Sequence, residues 1–169
     1  MTVSYRRASR DDVVHVRWAL YTALAWNPKR ELPAIDVTLE HSEAARYHRD
    51  WGRRDDLGVV AADADEVIGM AYCRIFTEED HGYGYIDSDT PEVALAVREG
   101  RRGRGIGAEL LTRLAAAARV DGRGQLSLSV ERDNPARRLY ERLGYRTISI
   151  EGNAVRMVVD LTSAPAGGR

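Results

Sequence analysis

The sequence predicts an α/β domain of the α+β kind: a mixed, mostly antiparallel sheet with helices on both faces, in the order βααβββαβαββ. Three observations carry this. Short apolar runs bounded by turn residues recur along the chain, and four of them read as two hairpins. Only Val93–Val97, the helical pattern after it, and Leu126–Val130 read as a parallel crossover. A length of 169 residues, with 44% hydrophobic and 30% charged side chains, suits one domain that can bury a core. The domain is expected over 1–161. A flexible C-terminal tail is expected over 162–169, where small residues surround Pro165 and Gly167-Gly168.

The elements follow in order. Val3 to Arg7 alternates as a first strand. Ser9 caps a helix whose first turn carries Asp11 and Asp12 and whose face carries Val13, Val16, Leu20 and Leu24. Asn27-Pro28 stops it. A loop runs to Val37, and Thr38 then caps a second helix that continues to Trp51 and closes at Gly52. Leu57–Ala62 and Glu66–Phe76 form a hairpin across Asp63-Ala64-Asp65. Thr77–Asp89 is a polar loop rich in glycine and aspartate. The fourth strand, Val93–Val97, leads to a helix carrying Ile106, Leu110, Leu111, Leu114, Ala115 and Ala118. The fifth strand, Leu126–Val130, leads to a short helix after Asn134-Pro135, suited to a cap followed by a first-turn proline. Tyr145–Ile150 and Ala154–Asp160 close the sheet as a hairpin.

Composition narrows the function. A net charge of −1 gives no global field for nucleic acid or an anionic membrane. The polar Met1–Arg10 predicts no secretory leader, and no apolar run approaches the length of a membrane span. The single cysteine, Cys73, excludes an intrachain disulfide and fits a reducing, cytoplasmic location. His41 and His48 share a face of the expected second helix, but nothing completes a ligand set, so no metal is expected.

The most informative stretch is Arg102-Gly103-Arg104-Gly105-Ile106-Gly107-Ala108, between the fourth strand and its helix. Glycines at alternate positions uncover backbone N–H groups, and the helix adds its own unpaired N–H groups and positive dipole end. That is an anion site suited to phosphate. A nucleoside-triphosphate loop is rejected, because Ile106-Gly107 follows Gly105 where lysine and a hydroxyl are required. A relaxed dinucleotide fingerprint fits Gly103, Gly105 and Ala108, with Glu131 as a candidate ribose-binding acid. It suffers from the five residues between strand and first glycine and from the missing repeated βαβ units.

Arg102, Gly103, Gly105 and Gly107 instead follow a pattern of arginine, two residues including a glycine, then Gly-x-Gly. With Leu95-Ala96-Val97 ahead of it, this segment resembles the coenzyme A motif of the GNAT superfamily of N-acetyltransferases. A second block, Leu126–Val130 followed by Asn134-Pro135-Ala136-Arg137-Arg138-Leu139-Tyr140 and Gly144-Tyr145, is similar to that family's second conserved region. The resemblance implies acetyl-CoA as cosubstrate and a cofactor site built from Leu95, Ala96, Val97, the run Arg102 to Ala108, Asn134 and Tyr140. It places the pantetheine arm against the main chain of Leu95 and Val97, in a cleft where the fourth and fifth strands part. It also implies that Tyr140 is the general acid to the departing thiolate and that Glu92 is the first candidate for general base, with Asp89 and His81 as weaker ones. Strict alternation sets Glu92 and Val97 on opposite faces, unless the strand bulges as family members often do.

The resemblance therefore implies transfer of an acetyl group from acetyl-CoA to a primary amine of a small molecule or peptide, by direct attack. A non-catalytic acyl-CoA-binding module and a dinucleotide-dependent oxidoreductase stay open as alternatives. Family members often dimerise, so a homodimer is also left open. Arg98, Arg137 and Arg138 are expected to be solvated or ion-paired. Trp18, Tyr21, Trp26, Tyr47, Tyr83 and Tyr85 are expected in the core or around the acceptor.

Overall fold

A computed structural model describes residues 2–162. The tail expected over 162–169 lies outside the described residues apart from Thr162. The elements are β1 (Val3–Arg7), a 3-10 turn (Arg10–Asp12), α1 (Val13–Leu24), α2 (Ile35–Glu40), α3 (Ser42–Ala45), β2 (Leu57–Asp63), β3 (Glu66–Arg74), β4 (Glu92–Val97), α4 (Ile106–Val120), β5 (Gln125–Glu131), α5 (Ala136–Arg142), β6 (Arg146–Glu151) and β7 (Ala154–Asp160). The strands form one seven-stranded sheet in the order β1-β2-β3-β4-β5-β7-β6. Every neighbouring pair is antiparallel except β4 with β5. This is the mixed, mostly antiparallel sheet that the sequence predicts.

The sheet is covered on both faces. On one, Ile106, Leu110, Leu111, Leu114 and Ala118 of α4 pack on Val59, Ala61, Ile68, Ala71, Leu126 and Leu128. On the other, Val16 and Ala19 of α1 pack on Val60, Met70, Tyr72 and Ala96. This explains why β2 and β3 read as unbroken apolar runs rather than alternating ones: both their faces are buried. Ser9 caps as expected, but on the 3-10 turn. Its N–H donates to Asp12 Oδ2 at 2.7 Å, and its hydroxyl accepts the Asp11 N–H at 3.3 Å. The paired Arg6 guanidinium holds the Asp12 carboxyl down at about 2. No helix among the described residues is long and apolar enough to cross a membrane.

The second helix differs from expectation. In place of one helix from Thr38 to Trp51 there are two short ones, broken at His41, whose backbone is extended (φ −61°, ψ 137°). Thr38 does not cap; its hydroxyl donates to Pro33 O at 3.0 Å. The reason α3 stops at Ala45 instead of running on to Trp51 lies on β3. Arg74, 1% exposed, forks onto Asp56, 3% exposed, at 3.0 and 2.8 Å. Its remaining nitrogen takes Arg46 O at 3.0 Å and Arg49 O at 2.6 Å, carbonyls that a continuous helix would have used internally. The need of a buried guanidinium for acceptors outweighs local helix propensity. His41 and His48 therefore share no helix face. Arg17 donates to His48 Nδ1 at 3.3 Å, which leaves Nε2 to donate to Leu39 O at 2.8 Å, and burial lowers the imidazole pKa.

Asp56 also accepts the N–H groups of Gly52 at 3.0 Å and Arg53 at 2.9 Å. An Asp56→Ala variant should lose about 3–5 kcal/mol in denaturant melts, because it leaves Arg74 charged and unpaired in the interior. The double variant Asp56→Leu/Arg74→Met should recover part of that loss.

Candidate active site

Strands β4 and β5 stay together for a single pair, Glu92 opposite Ser127, beside a Ser127 N–H to Pro91 O bond of 3.0 Å. Beyond that pair β5 is zipped to β7 alone along its length. On its other side β4 is paired with β3 from Glu92 to Val97 without a register shift. The bulge that family members often carry is thus absent from this pairing. The Arg98 N–H reaches Ile68 O at 2.8 Å, so Arg98 and the even-numbered residues of β4 direct their main chain to β3. Alternation turns the main chain of Val93, Leu95 and Val97 the other way, toward β5. Past the first pair, Leu95 and Val97 have no strand to meet. An open backbone edge therefore lies inside the sheet.

That edge runs into the glycine turn. Gly103 (φ +73°) and Gly105 (φ +81°) hold left-handed backbone, and a Cβ on either would meet nothing within 4 Å. Gly105 starts α4 and accepts the Glu109 N–H at 3.0 Å, so the N–H groups of Ile106, Gly107 and Ala108 precede the helix ladder. Gly107 sits where a Cβ would lie 3.1 Å from Leu139 and 3.6 Å from Leu95, so the start of α4, β4 and α5 meet along one wall. The arginines divide. Arg98 donates to Val67 O at 2.7 Å and lies 5.4 Å from the Trp18 ring centre; Arg101 pairs with Asp63 at 2.7 Å. Both brace the β2–β3 turn. Arg102 donates from Nε to Val97 O at 3.0 Å, covering one main-chain acceptor on the open edge. Arg104 stands between Gly103 and Gly105. Arg137 lies beside Glu141 at 3.3 Å.

Two titratable groups flank the point where the strands part, on opposite faces of the sheet. Tyr140 packs in the α4 side of the core, 8% exposed, with its ring centre 5.7 Å from that of Tyr145. Burial pushes its phenol up to about 12, so it holds its proton at neutral pH. Asn134 caps the helix that carries Tyr140: its Oδ1 accepts the Ala136 N–H at 2.9 Å.

Glu92 lies on the other face, 4% exposed, and burial lifts its carboxyl to about 7. The hydrogen bonds it accepts oppose that shift without cancelling it. Tyr47 Oη donates to Oε2, and the Gly84 N–H donates to Oε1 at 2.8 Å. Tyr47 Oη in turn accepts the Tyr83 N–H at 2.8 Å. The loop from Thr77 to Asp89 is thereby fixed over the β4–β5 junction. Arg46 adds a bond to His81 O, and Arg156 donates to Tyr83 O at 3.3 Å.

Sequence reading missed this anchor. Tyr47 was expected only as core or acceptor lining, and Ser127 not at all; its hydroxyl is buried beside Glu92 without a protein partner. The available signal was Gly82-Tyr83-Gly84. A Cβ at Gly82 would collide with the Tyr47 hydroxyl, and one at Gly84 would lie 2.7 Å from Leu128 C and 2.9 Å from Glu92 Cδ. The other candidate bases stay in the loop: His81 stacks on Tyr85 at 4.4 Å, and the Asp89 N–H bonds the Asp87 carboxylate at 2.9 Å. Glu131, the candidate ribose acid, is taken by Trp26 Nε1 at 2.6 Å and Arg30 at 2.8 Å. Trp26 thus ties the end of α1 to the end of β5 rather than filling the core.

Residues 18–145 match the sequence profile of the acetyltransferase (GNAT) family. No curated protein matches the chain. Among solved structures it is similar to the PaiA N-acetyltransferase of Thermoplasma acidophilum in complex with coenzyme A, at 16% identity over 95% of this chain and 99% of that one, with a TM-score of 0.71. The putative acetyltransferase YncA of Salmonella typhimurium, with acetyl-CoA, superposes at 21% identity over 99% of both chains, with a TM-score of 0.66. The GNAT domain of S. lividans PAT does so at 22% identity over 95% and 91%, with a TM-score of 0.67. At these identities the likeness establishes the fold. The family match spans more than half the chain, and with the parted strands and the glycine turn at α4 it carries the conclusion: the protein belongs to the GNAT acetyltransferase family.

Proposed function

We propose that the protein transfers an acetyl group from acetyl-CoA to a primary amine by direct attack. The observation that supports it best is the open β4 edge at Leu95 and Val97 leading into the N–H groups at the start of α4. The residues fit the cofactor. Backbone N–H groups from Arg102 to Ala108 suit a pyrophosphate. The main chain of Leu95 and Val97 suits the amides of a pantetheine arm, and Asn134 has its amide nitrogen to offer beside its cap. Acetyl-CoA supplies the activated acetyl group as a thioester. A buried, unpaired cysteine is consistent with a reducing, cytoplasmic setting.

The chain's own groups handle the protons. An alkylamine has a pKa near 10.4, so a neutral nucleophile at pH 7 costs roughly 4–5 kcal/mol. Glu92, lifted to about 7, is matched to accept that proton, directly or through one water. Each of its oxygens accepts one hydrogen bond, which leaves lone pairs for another. Tyr140 serves the departing sulfur from the opposite face. A thiol titrates near 8.5, so full transfer from a phenol near 12 is uphill by roughly 5 kcal/mol. Its favourable contribution is therefore a hydrogen bond to the developing thiolate, made only as charge appears.

Free-thiol release with an amine panel tests the reaction, and calorimetry with acetyl-CoA and NAD tests the ligand. Binding of acetyl-CoA without release of thiol for any amine would favour a non-catalytic module. Tyr140→Phe should lower turnover about 100-fold and leave the acetyl-CoA dissociation constant within about threefold. Arg104→Glu should weaken acetyl-CoA binding about tenfold or more by placing an anion at the phosphate turn. For wild type, kcat/KM should rise with pH through about 7 as Glu92 ionises, and Glu92→Gln should remove that limb. The same residue leaves a mark on stability. Its folded pKa lies above the ordinary carboxyl value, so its contribution is full below pH 4.5 and is lost as pH rises to about 7. Glu92→Gln should flatten that part of the stability curve.

A further inference from the structure

The acceptor face of the sheet carries a second polar feature beyond Glu92. Val155 and Met157 of β7 point into the α4 core, so Arg156 between them points to the opposite face, the one that holds Glu92. It stands in a row across three strands: Ser129 of β5, Arg156 of β7 and Ser149 of β6. That row depends on an irregularity. The β6–β7 register shifts between Thr147 and Ser149, which takes Ile148 out of the ladder and sets a serine opposite Arg156. All three residues are half-buried. Together with Tyr83, Glu151 and Ala154 they line a shallow pocket of about 10 Å³, room for about one water-sized atom such as a single carboxylate oxygen.

Arg156 takes part in no ion pair among the described residues. Its one hydrogen bond is from Nε to Tyr83 O at 3.3 Å, so the outer edge of the guanidinium is turned to no carboxylate. It is close enough to Glu92 to favour the ionised carboxyl there. The row lies two residues beyond Ser127 on β5, roughly 7 Å along the strand from the level of Glu92.

We propose that Arg156, with the hydroxyls of Ser129 and Ser149, forms an acceptor subsite for a carboxylate, so that the amine acetylated is that of a free amino acid. This rests on the acetyltransferase reading and narrows its substrate class. The guanidinium forks onto the carboxylate, and the two hydroxyls donate to it. The short step from Glu92 to the row suits a molecule whose amine and carboxylate are a few bonds apart. Glu151, exposed at the rim, disfavours a second acidic group, so neutral side chains are preferred over aspartate and glutamate.

The test measures binding apart from turnover. N-acetylglycine, N-acetylmethionine and N-acetylphenylalanine, each against its carboxamide, are titrated calorimetrically into the full chain with coenzyme A present. The acids should bind at least tenfold tighter than the amides. Arg156→Gln should abolish that preference, and Arg156→Lys should restore part of it. Because Arg156 also holds the loop through Tyr83, the double variant Ser129→Ala/Ser149→Ala is measured beside it; it should reduce the preference severalfold with the loop contact intact. Equal binding of acids and amides, binding of neither, or an unchanged preference in Arg156→Gln would each overturn the proposal. Acids that bind as expected to a protein that never releases thiol from acetyl-CoA would instead retire the transferase reading and leave the carboxylate site standing.

Discussion

The architecture turns on one interrupted pairing. A parallel ladder between neighbouring strands normally continues for several residues, because each step satisfies backbone groups that would otherwise be stranded. Here it stops after Glu92 and Ser127. What keeps the sheet whole is strong pairing on either side: β4 to β3 over its full length, and β5 to β7 over its full length. Two stiff half-sheets joined at one point produce the gap, and the chain between them, the glycine turn and α4, closes its wide end. The anion-seeking N–H groups are aimed at that gap because the crossover must begin where β4 ends.

The joint is also where the molecule concentrates its costly polar groups. Glu92 lies deep in the protein and is kept there by donors from two other segments, Tyr47 after α3 and Gly84 in the loop before β4. Burial and hydrogen bonding pull its carboxyl in opposite directions, and burial prevails, which leaves it near neutrality. Tyr47 is in turn positioned by the segment that Arg74 and Asp56 hold out of helical form. A buried ion pair on β3 and a titratable group on β4 are thus parts of one arrangement, linked through the chain from Arg46 to Trp51.

Most of the fold was legible in the sequence because its signals are local. The apolar runs of β2 and β3, the helical spacing of Ile106 to Ala118, and the cap at Asn134 each depend on neighbours in sequence. The glycine turn before α4 was legible for the same reason: its glycines all lie within one short segment. What escaped depends on contacts distant in sequence. The end of α3 at Ala45, short of Trp51, follows from Arg74 taking Arg46 O and Arg49 O, which no helix-propensity argument contains. The pairing of Trp26 with Glu131 joins residues 105 positions apart in the sequence. Tyr47 carries no sign in sequence that its hydroxyl meets a carboxylate on β4. The spacing of Gly82 and Gly84 hinted that something approaches closely, without saying what.

The gap between β4 and β5 has a further result for solubility. An unpaired strand of leucine, alanine and valine is ordinarily a template for association, and proteins guard such edges with charge, proline or a bulge. The Leu95–Val97 edge bears none of these within the strand. It is shielded by location: a strange chain trying to add to it would have to thread between two halves of a continuous sheet, past the Arg102 side chain at one end and the anchored loop at the other. An unpaired strand edge can therefore stay bare in the middle of the molecule, where the same residues on an outer strand would invite fibre growth.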